Sequence, residues 1–161
     1  RAAKCKDSGH LATMRFAYAT FHVEGISRIC SHQIVRMAHA GILQRSQRYV
    51  AESGVKFVRP HTFDALPVEM KNRWDALEAE SREFYETLVS TKAMKKEDAR
   101  YALLHSAETS LHLCLNFQGW QDFIHNRNSK HAQEEVRQVA RAIQDKMHLI
   151  APNLFSSTQT A

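Results

Sequence analysis

Hydrophobic positions along this chain switch between two periods. From Met14 to Val23 (MRFAYATFHV), Phe16, Tyr18 and Thr20 alternate with Ala17, Ala19 and Phe21, which predicts a strand with both faces at least partly covered. Gly25 breaks the alternation. Ile26, Ile29, Cys30, Ile34 and Val35 then fall near helical spacing, predicting a short helix to about Arg36, a cation well placed against the helix dipole. Beyond Gly41 the chain looks extended from Ile42 to Val50, and residues 51–66, with Gly54 and Pro60, read as a long loop. Pro67 opens a clear helix that ends near Ser90 and Thr91, with Met70, Trp74, Leu77, Phe84 and Leu88 on its inward face. A second helix is predicted from about Lys95, with Ala99, Leu103 and Ala107 on one side. Leu111, Leu113 and Leu115 alternate through a strand over 109–115. A short helical piece from Asn116, interrupted at Gly119, leads to a last helix from about Ala132 to Ile150. There Val136, Val139, Ala140, Ile143 and Met147 face inward, and Pro152 stops it. Residues 1–13 read as irregular and residues 155–161 as a frayed tail. The element order is mixed and helix-rich with a small sheet, α+β and not alternating βαβ.

Length and charge narrow this picture. The 161 residues predict one domain with a real core. Lys and Arg number 22 against 17 acids, a formal +5 that favours anionic partners without choosing among nucleic acid, nucleotides and phosphorylated small molecules. Cys5, Cys30 and Cys114 are an odd number at wide spacing, which argues against a disulfide framework or a zinc ribbon and predicts a cytoplasmic protein. No apolar run is long enough for a membrane span, and no signal-peptide pattern is visible. The chain opens on Arg1 instead of Met, so an N-terminal segment is expected to be missing.

The familiar catalytic signatures are absent. There is no GxGxxG, no GxxxxGK[ST], no HExxH and no GxSxG. The ten histidines do not pair with acids at ligand spacing, so no metal is expected. Cys30 and Cys114 fall in apolar patterns and read as inert buried thiols. Two polar constellations remain. In HQIVRMAHAGILQRSQRY, residues 32–49, His32, Arg36 and His39 open a stretch that Arg45, Ser46 and Arg48 close. Such donors suit phosphate or carboxylate, since the planar guanidinium matches their geometry, although a solvated basic face gives the same pattern. In NFQGWQDFIHNRNSKH, residues 116–131, Asn116, Gln118, Asp122, His125, Arg127 and His131 crowd together, and Asn128 with Ser129 could cap the last helix or receive an anion. Arg100, near the apolar face of its helix, is a third candidate beside the plainer possibility of a snorkelling side chain.

Together these segments resemble the flavin-dependent thymidylate synthases. That family's hallmark is Arg-His-Arg, seven residues, then Ser, closely followed by Arg-Tyr. This chain has Arg36-Met37-Ala38, seven residues, then Ser46-Gln47-Arg48-Tyr49, with Gln33 also matching. GHLATMRFAYATFHV is similar to the family's Gly-His segment, ARYALL to its helix, and the run from Asn116 through His131-Ala132-Gln133 to its Asn…Arg…His-Ala-Gln block. The resemblance covers most of the chain from Gly9 to about Ile143.

The resemblance implies that family's α+β fold, helix-rich with a small, mostly antiparallel sheet, in a homotetramer with active sites between subunits. It implies FAD as cofactor, with NADPH and methylenetetrahydrofolate as co-substrates, in the methylation of uracil C5 of dUMP or UMP. Carried over by position, Gln33, Gln44, Ser46, Gln47, Arg48 and Arg100 would hold the nucleotide, with Arg48 and Arg100 on its phosphate. Arg127 would grip the pyrimidine and carry the catalytic role. His10, Arg36, Met37, Ala38, Asn116, Asp122 and His131 match flavin-contacting positions. The departures are specific: the hallmark His and second Arg are Met37 and Ala38, and a Ser is Gly41. A Glu beside the nucleotide is Gln44, another in the Gly-His segment is Arg15, and an Asn facing the flavin is Asp122. Losing the two cationic or imidazole groups is expected to weaken flavin binding. The competing expectations are a flavin-dependent hydroxymethylase acting at the same carbon and a non-catalytic descendant, either a basic scaffold or a nucleic-acid-binding protein. Against the latter, no basic stripe interleaves with aromatics as single-strand binding requires.

Overall fold

In a computed structural model the described residues are 2–156. Part of the tail predicted over 155–161 lies outside them. The elements are α1 (Ala2–Asp7), β1 (Tyr18–Ser27), α2 (Arg28–Ile34), β2 (Gly41–Gln44), α3 (Val68–Ser90), α4 (Lys96–Ala99), β3 (Glu108–Asn116), α5 (Phe117–Arg127) and α6 (Glu134–Ile150), with short 3-10 turns at Leu11–Phe16, Phe63–Ala65 and Arg100–Ala102. The strands form one small antiparallel sheet in the order β1-β3-β2, so the fold is the expected α+β. The chain divides into two compact units, each assembled from separate segments.

The first unit contains residues 2–23, 33–43 and 112–156. Its core is aromatic at the centre: Trp120 is fully buried, edge-on to Phe21 at 5.0 Å and to Phe123 at 5.7 Å between ring centroids. A buried indole N–H needs a partner, and Trp120 Nε1 donates to the Ala19 carbonyl at 3.1 Å. Leu113 and Leu115 of β3 are buried as their alternation predicts, and so are Val136, Ala140, Ile143 and Met147 of α6. Asn116 caps α5 by accepting the Gly119 N–H at 2.8 Å. Gly119 therefore belongs to the first turn of α5 and does not interrupt it. A Cβ there would lie 3.0 Å from Leu115 Cδ2, a close approach that explains the glycine. The expected cap of the last helix is corrected. Gln133 holds that position without a side-chain bond, while Asn128 accepts from Arg141 Nε at 3.2 Å.

At the start of α6, Glu134 accepts from Arg137 and, at 3.0 Å, from Arg141 Nη1. The hydrogen bond from Arg137 and the charge of both arginines hold its carboxyl below the usual range. A depressed carboxylate pKa stabilises the fold above the unfolded value, and that contribution is lost as pH falls through the folded one. Urea melts of wild type and Glu134→Gln should therefore differ above about pH 5 and converge in stronger acid. A pH-independent difference would assign the effect to packing.

The second unit contains residues 24–32 and 44–111. Several local expectations change across the two units. β1 starts later than predicted, after the 3-10 turn, and continues through Gly25, whose φ of 70° only glycine adopts cheaply. The extended stretch predicted over 42–50 is confined to β2, and the helix predicted from Lys95 is the single turn α4 followed by a 3-10 turn. α3 has nearly its predicted span but turns a different face inward. Glu78, Ser81 and Tyr85 are buried, whereas Met70, Leu77 and Phe84 are 56%, 49% and 55% exposed. The shift from 77 and 84 to 78 and 85 is one residue, about 100° of helix rotation. Polar groups satisfied inside the unit account for it. Glu78 accepts from Trp74 Nε1 at 2.8 Å and from Arg59 Nη2 at 2.7 Å, and the Glu52 backbone N–H donates to the Tyr85 hydroxyl at 3.0 Å.

Candidate active site

In the second unit, the turn that follows β2 carries the Ser46-Gln47-Arg48 segment. Gln44, at the end of β2, donates through Nε2 to Ser31 Oγ at 2.8 Å and to Thr109 Oγ1 at 3.4 Å. The neutral amide makes these contacts as a donor, which a carboxylate could not do. Ser46 Oγ accepts the Arg48 N–H at 3.3 Å, which leaves its own proton available to another acceptor. Gln47 is buried. Arg48 is exposed and reaches Glu97 on α4, donating from Nε at 3.1 Å and Nη2 at 3.0 Å to one carboxylate oxygen. That hydrogen bond, helped by the charge, holds the guanidinium pKa above its ordinary value. Arg100 donates from Nε to the Glu97 carbonyl at 2.9 Å.

A cavity of about 280 Å³ in this unit is lined by Arg28, His32, Gln47, Arg100, Tyr101 and His105. The imidazoles of His32 and His105 meet edge-to-face at 5.4 Å. Arg28 donates from Nη2 to the Arg45 carbonyl at 2.8 Å, while its buried Nε has no acceptor among the described residues. Burial lowers the Arg28 pKa and Glu52 opposes that shift, with Arg100 and Arg45 adding repulsion. Glu52 is the buried counter-charge. It pairs with Arg45 at 3.2 Å, and burial raises its carboxyl pKa while Arg45 and Arg28 pull it down. Donors so outnumber acceptors around this cavity that an anion is the ligand it suits.

In the first unit, Arg127 at the end of α5 donates from Nη2 to the Gln33 carbonyl at 2.8 Å, and the Gln33 side chain donates to Gln133 Oε1. Arg127 Nε is buried and also lacks an acceptor among the described residues. The other flavin-pattern residues belong to this unit. His10, Arg36, Ala38 and His131 are exposed and Met37 is half-buried. Arg36 lies just beyond α2 and not, as predicted, in its last turn. Asn116 spends its side-chain oxygen on the α5 cap, and exposed Asp122 accepts from Gln118 Nε2 at 2.9 Å. His39, next to the altered hallmark, has a left-handed φ of 60°.

The structure thus gathers Gln44, Ser46, Gln47, Arg48 and Arg100 in one unit, and Gln33, Arg127 and the flavin-pattern residues in the other. Arg28, His105, Glu52 and Glu97 had no place in the sequence argument. Arg28 was detectable, four residues ahead of His32 and so on the same helical face. Among the described residues no group of three or more His, Cys, Asp or Glu could hold a metal, and no helix is long and apolar enough to cross a membrane.

An α+β fold with a small antiparallel sheet and a basic, donor-rich cavity defines the class of protein at hand. Within that class the chain belongs to the thymidylate synthase complementing protein family, whose model matches residues 2–153. It is 33% identical over 95% of its length to a flavin-dependent thymidylate synthase of Mycobacteroides abscessus, covering 66% of that protein. It is 30% identical over 93% of its length to one of Mycolicibacterium gilvum, covering 65%. It is 31% identical over 96% of its length to one of Mycobacterium avium, covering 67%. The chain therefore spans about two thirds of the length of the curated relatives it matches.

Proposed function

We propose that this chain forms a single flavin-dependent catalytic domain that methylates uracil C5 of a pyrimidine nucleotide, dUMP or UMP. The observation that carries this reading is that, among the described residues, three buried guanidinium nitrogens lack acceptors in a member of this family, two of them, Arg28 Nε and Arg127 Nε, beside the candidate site residues. A buried donor without a partner costs about 1–3 kcal/mol, which a ligand oxygen recovers.

The donors of the first unit suit FAD, since the exposed Arg36, His10 and His131 can meet acceptor atoms of a flavin and its phosphates. Met37 and Ala38 offer no hydrogen bond there, and Asp122 offers only acceptors while ionised. When bound, FAD supplies the hydride after reduction by NADPH, and methylenetetrahydrofolate supplies the one-carbon unit. The chain's own residues bind and orient. Arg48, Arg100 and Ser46 hold the phosphate, with Gln33, Gln44 and Gln47 around the nucleotide. Arg127 donates to a ring oxygen as charge builds on the uracil during attack by C5, a poor nucleophile that needs such stabilisation. Ser46 has no hydrogen-bonded base among the described residues, so it binds and does not attack. Aligning flavin, nucleotide and folate is mainly an orientation problem, for which a fixed donor set is suited.

We also infer a cytoplasmic homotetramer with active sites between subunits. The exposed Met70, Leu77 and Phe84 stripe on α3 supports assembly, since such a stripe is ordinarily covered.

The test is a visible absorption titration with FAD, then with dUMP and UMP. Flavin bands that shift on adding nucleotide are expected, and the same titration ranks the two sugars. A protein that leaves added FAD free would sink the proposal. In Arg48→Ala, the Kd for nucleotide should rise at least about fivefold more than that for FAD, because a charge-assisted contact to phosphate is lost. The reverse order would mean that the two ligand assignments are exchanged.

A further inference from the structure

One residue occupies both guanidiniums assigned to the nucleotide phosphate. Glu97 Oε2 accepts from Arg48 Nε and Nη2, and the Glu97 carbonyl accepts from Arg100 Nε. The neighbouring Lys96 donates to the Tyr49 carbonyl at 3.2 Å. The single turn α4 thus grips residues 48–49 through side chains and Arg100 through its own backbone. A carboxylate oxygen placed across Nε and Nη2 of an arginine presents the same acceptor that a phosphate oxygen would. No other acid is bonded to Arg48 or Arg100 among the described residues.

We propose that Glu97 is an internal counter-anion, its carboxylate holding Arg48 beside Arg100 until a dianionic phosphate monoester displaces it. This rests on the nucleotide reading above and adds a device that sets the affinity for phosphate. Two features make displacement cheap. The Arg48–Glu97 pair is exposed, 54% and 37% for the two side chains, and exposed pairs are weak. A four-residue helix also has little stability of its own, so the turn can shift without unfolding its surroundings. A phosphate dianion can engage both guanidiniums, whereas the Glu97 carboxylate engages Arg48 alone and a ligand without phosphate has nothing to offer either. The counter-anion therefore lowers the affinity for every phosphate-bearing ligand and leaves nucleosides unaffected, so it tunes nucleotide binding downward from what the two arginines alone would give.

The test is calorimetric titration of the full chain, with FAD added, using dUMP, UMP, deoxyuridine and inorganic phosphate. Glu97→Gln should bind dUMP or UMP and inorganic phosphate about three- to tenfold more tightly than wild type, the range expected when one charged competitor is removed. Deoxyuridine should show no gain. Asp98→Asn, the same change of charge one residue away, should also show none, and Arg48→Ala combined with Glu97→Gln should lose the improvement. Glu97→Ala, checked by its melting midpoint, serves if the glutamine variant folds poorly. Wild type that binds a nucleotide with no improvement in either Glu97 variant would overturn the counter-anion and leave the nucleotide site standing. Binding of neither dUMP nor UMP by wild type would overturn the nucleotide reading and this proposal with it.

Discussion

Arg127→Ala is expected to lower kcat/KM for nucleotide methylation by at least about a hundredfold, the loss typical when one preorganised donor to a developing charge is removed. The guanidinium is held where such an effect arises. Nη2 is tied to the Gln33 carbonyl and Nε is buried without an acceptor among the described residues. That arrangement fixes the direction of the free N–H, so little reorganisation accompanies reaction. Arg127→Lys should recover only a small part of the rate, because an ammonium cannot serve the Gln33 carbonyl and a ligand oxygen with the same planar fork. Near-normal turnover in Arg127→Ala, with the melting midpoint preserved, would remove this residue from the site.

Restoring the family hallmark by Met37→His together with Ala38→Arg is expected to tighten FAD binding by about tenfold or more. Each charge-assisted bond regained contributes roughly 1.5–3 kcal/mol before the cost of ordering the new side chains. Ala38 is exposed and Met37 only half-buried, so neither replacement has to enter a packed core. Flavin fluorescence quenching would measure the change. An unaltered Kd would show that this chain holds its cofactor without the two missing side chains, and the neighbouring His39, at φ 60°, would become the next position to vary.

Regular periodicity translated directly into structure where one face is apolar and the other polar. β3 buries Leu111, Leu113 and Leu115, and α6 buries Val136, Ala140, Ile143 and Met147, as alternation and helical spacing require. Periodicity does not decide the buried face of α3, where the apolar stripe Met70, Leu77 and Phe84 stays exposed. Burial there is decided by Trp74, one helical turn before Glu78, and by Arg59 and the Glu52 backbone, partners for Glu78 and Tyr85 that lie outside α3. Gly25 shows a similar failure, because a glycine that reads as a breaker can also continue a strand at positive φ.

The site divides along the same line. Residue type and spacing were sufficient for the family, for Arg48, Arg100 and Arg127 as candidate anion and ring contacts, and for the altered hallmark at Met37 and Ala38. Spacing along a chain carries those features because they are local. It carries no information on which donors remain unpaired, since that depends on long-range neighbours. Folding gives Gln44 its hydroxyl acceptors, leaves Arg28 Nε and Arg127 Nε without any among the described residues, and sets the Glu97 carboxylate on Arg48. Charge and type are properties of a residue, but availability is a property of its surroundings, and those exist only once the chain has packed.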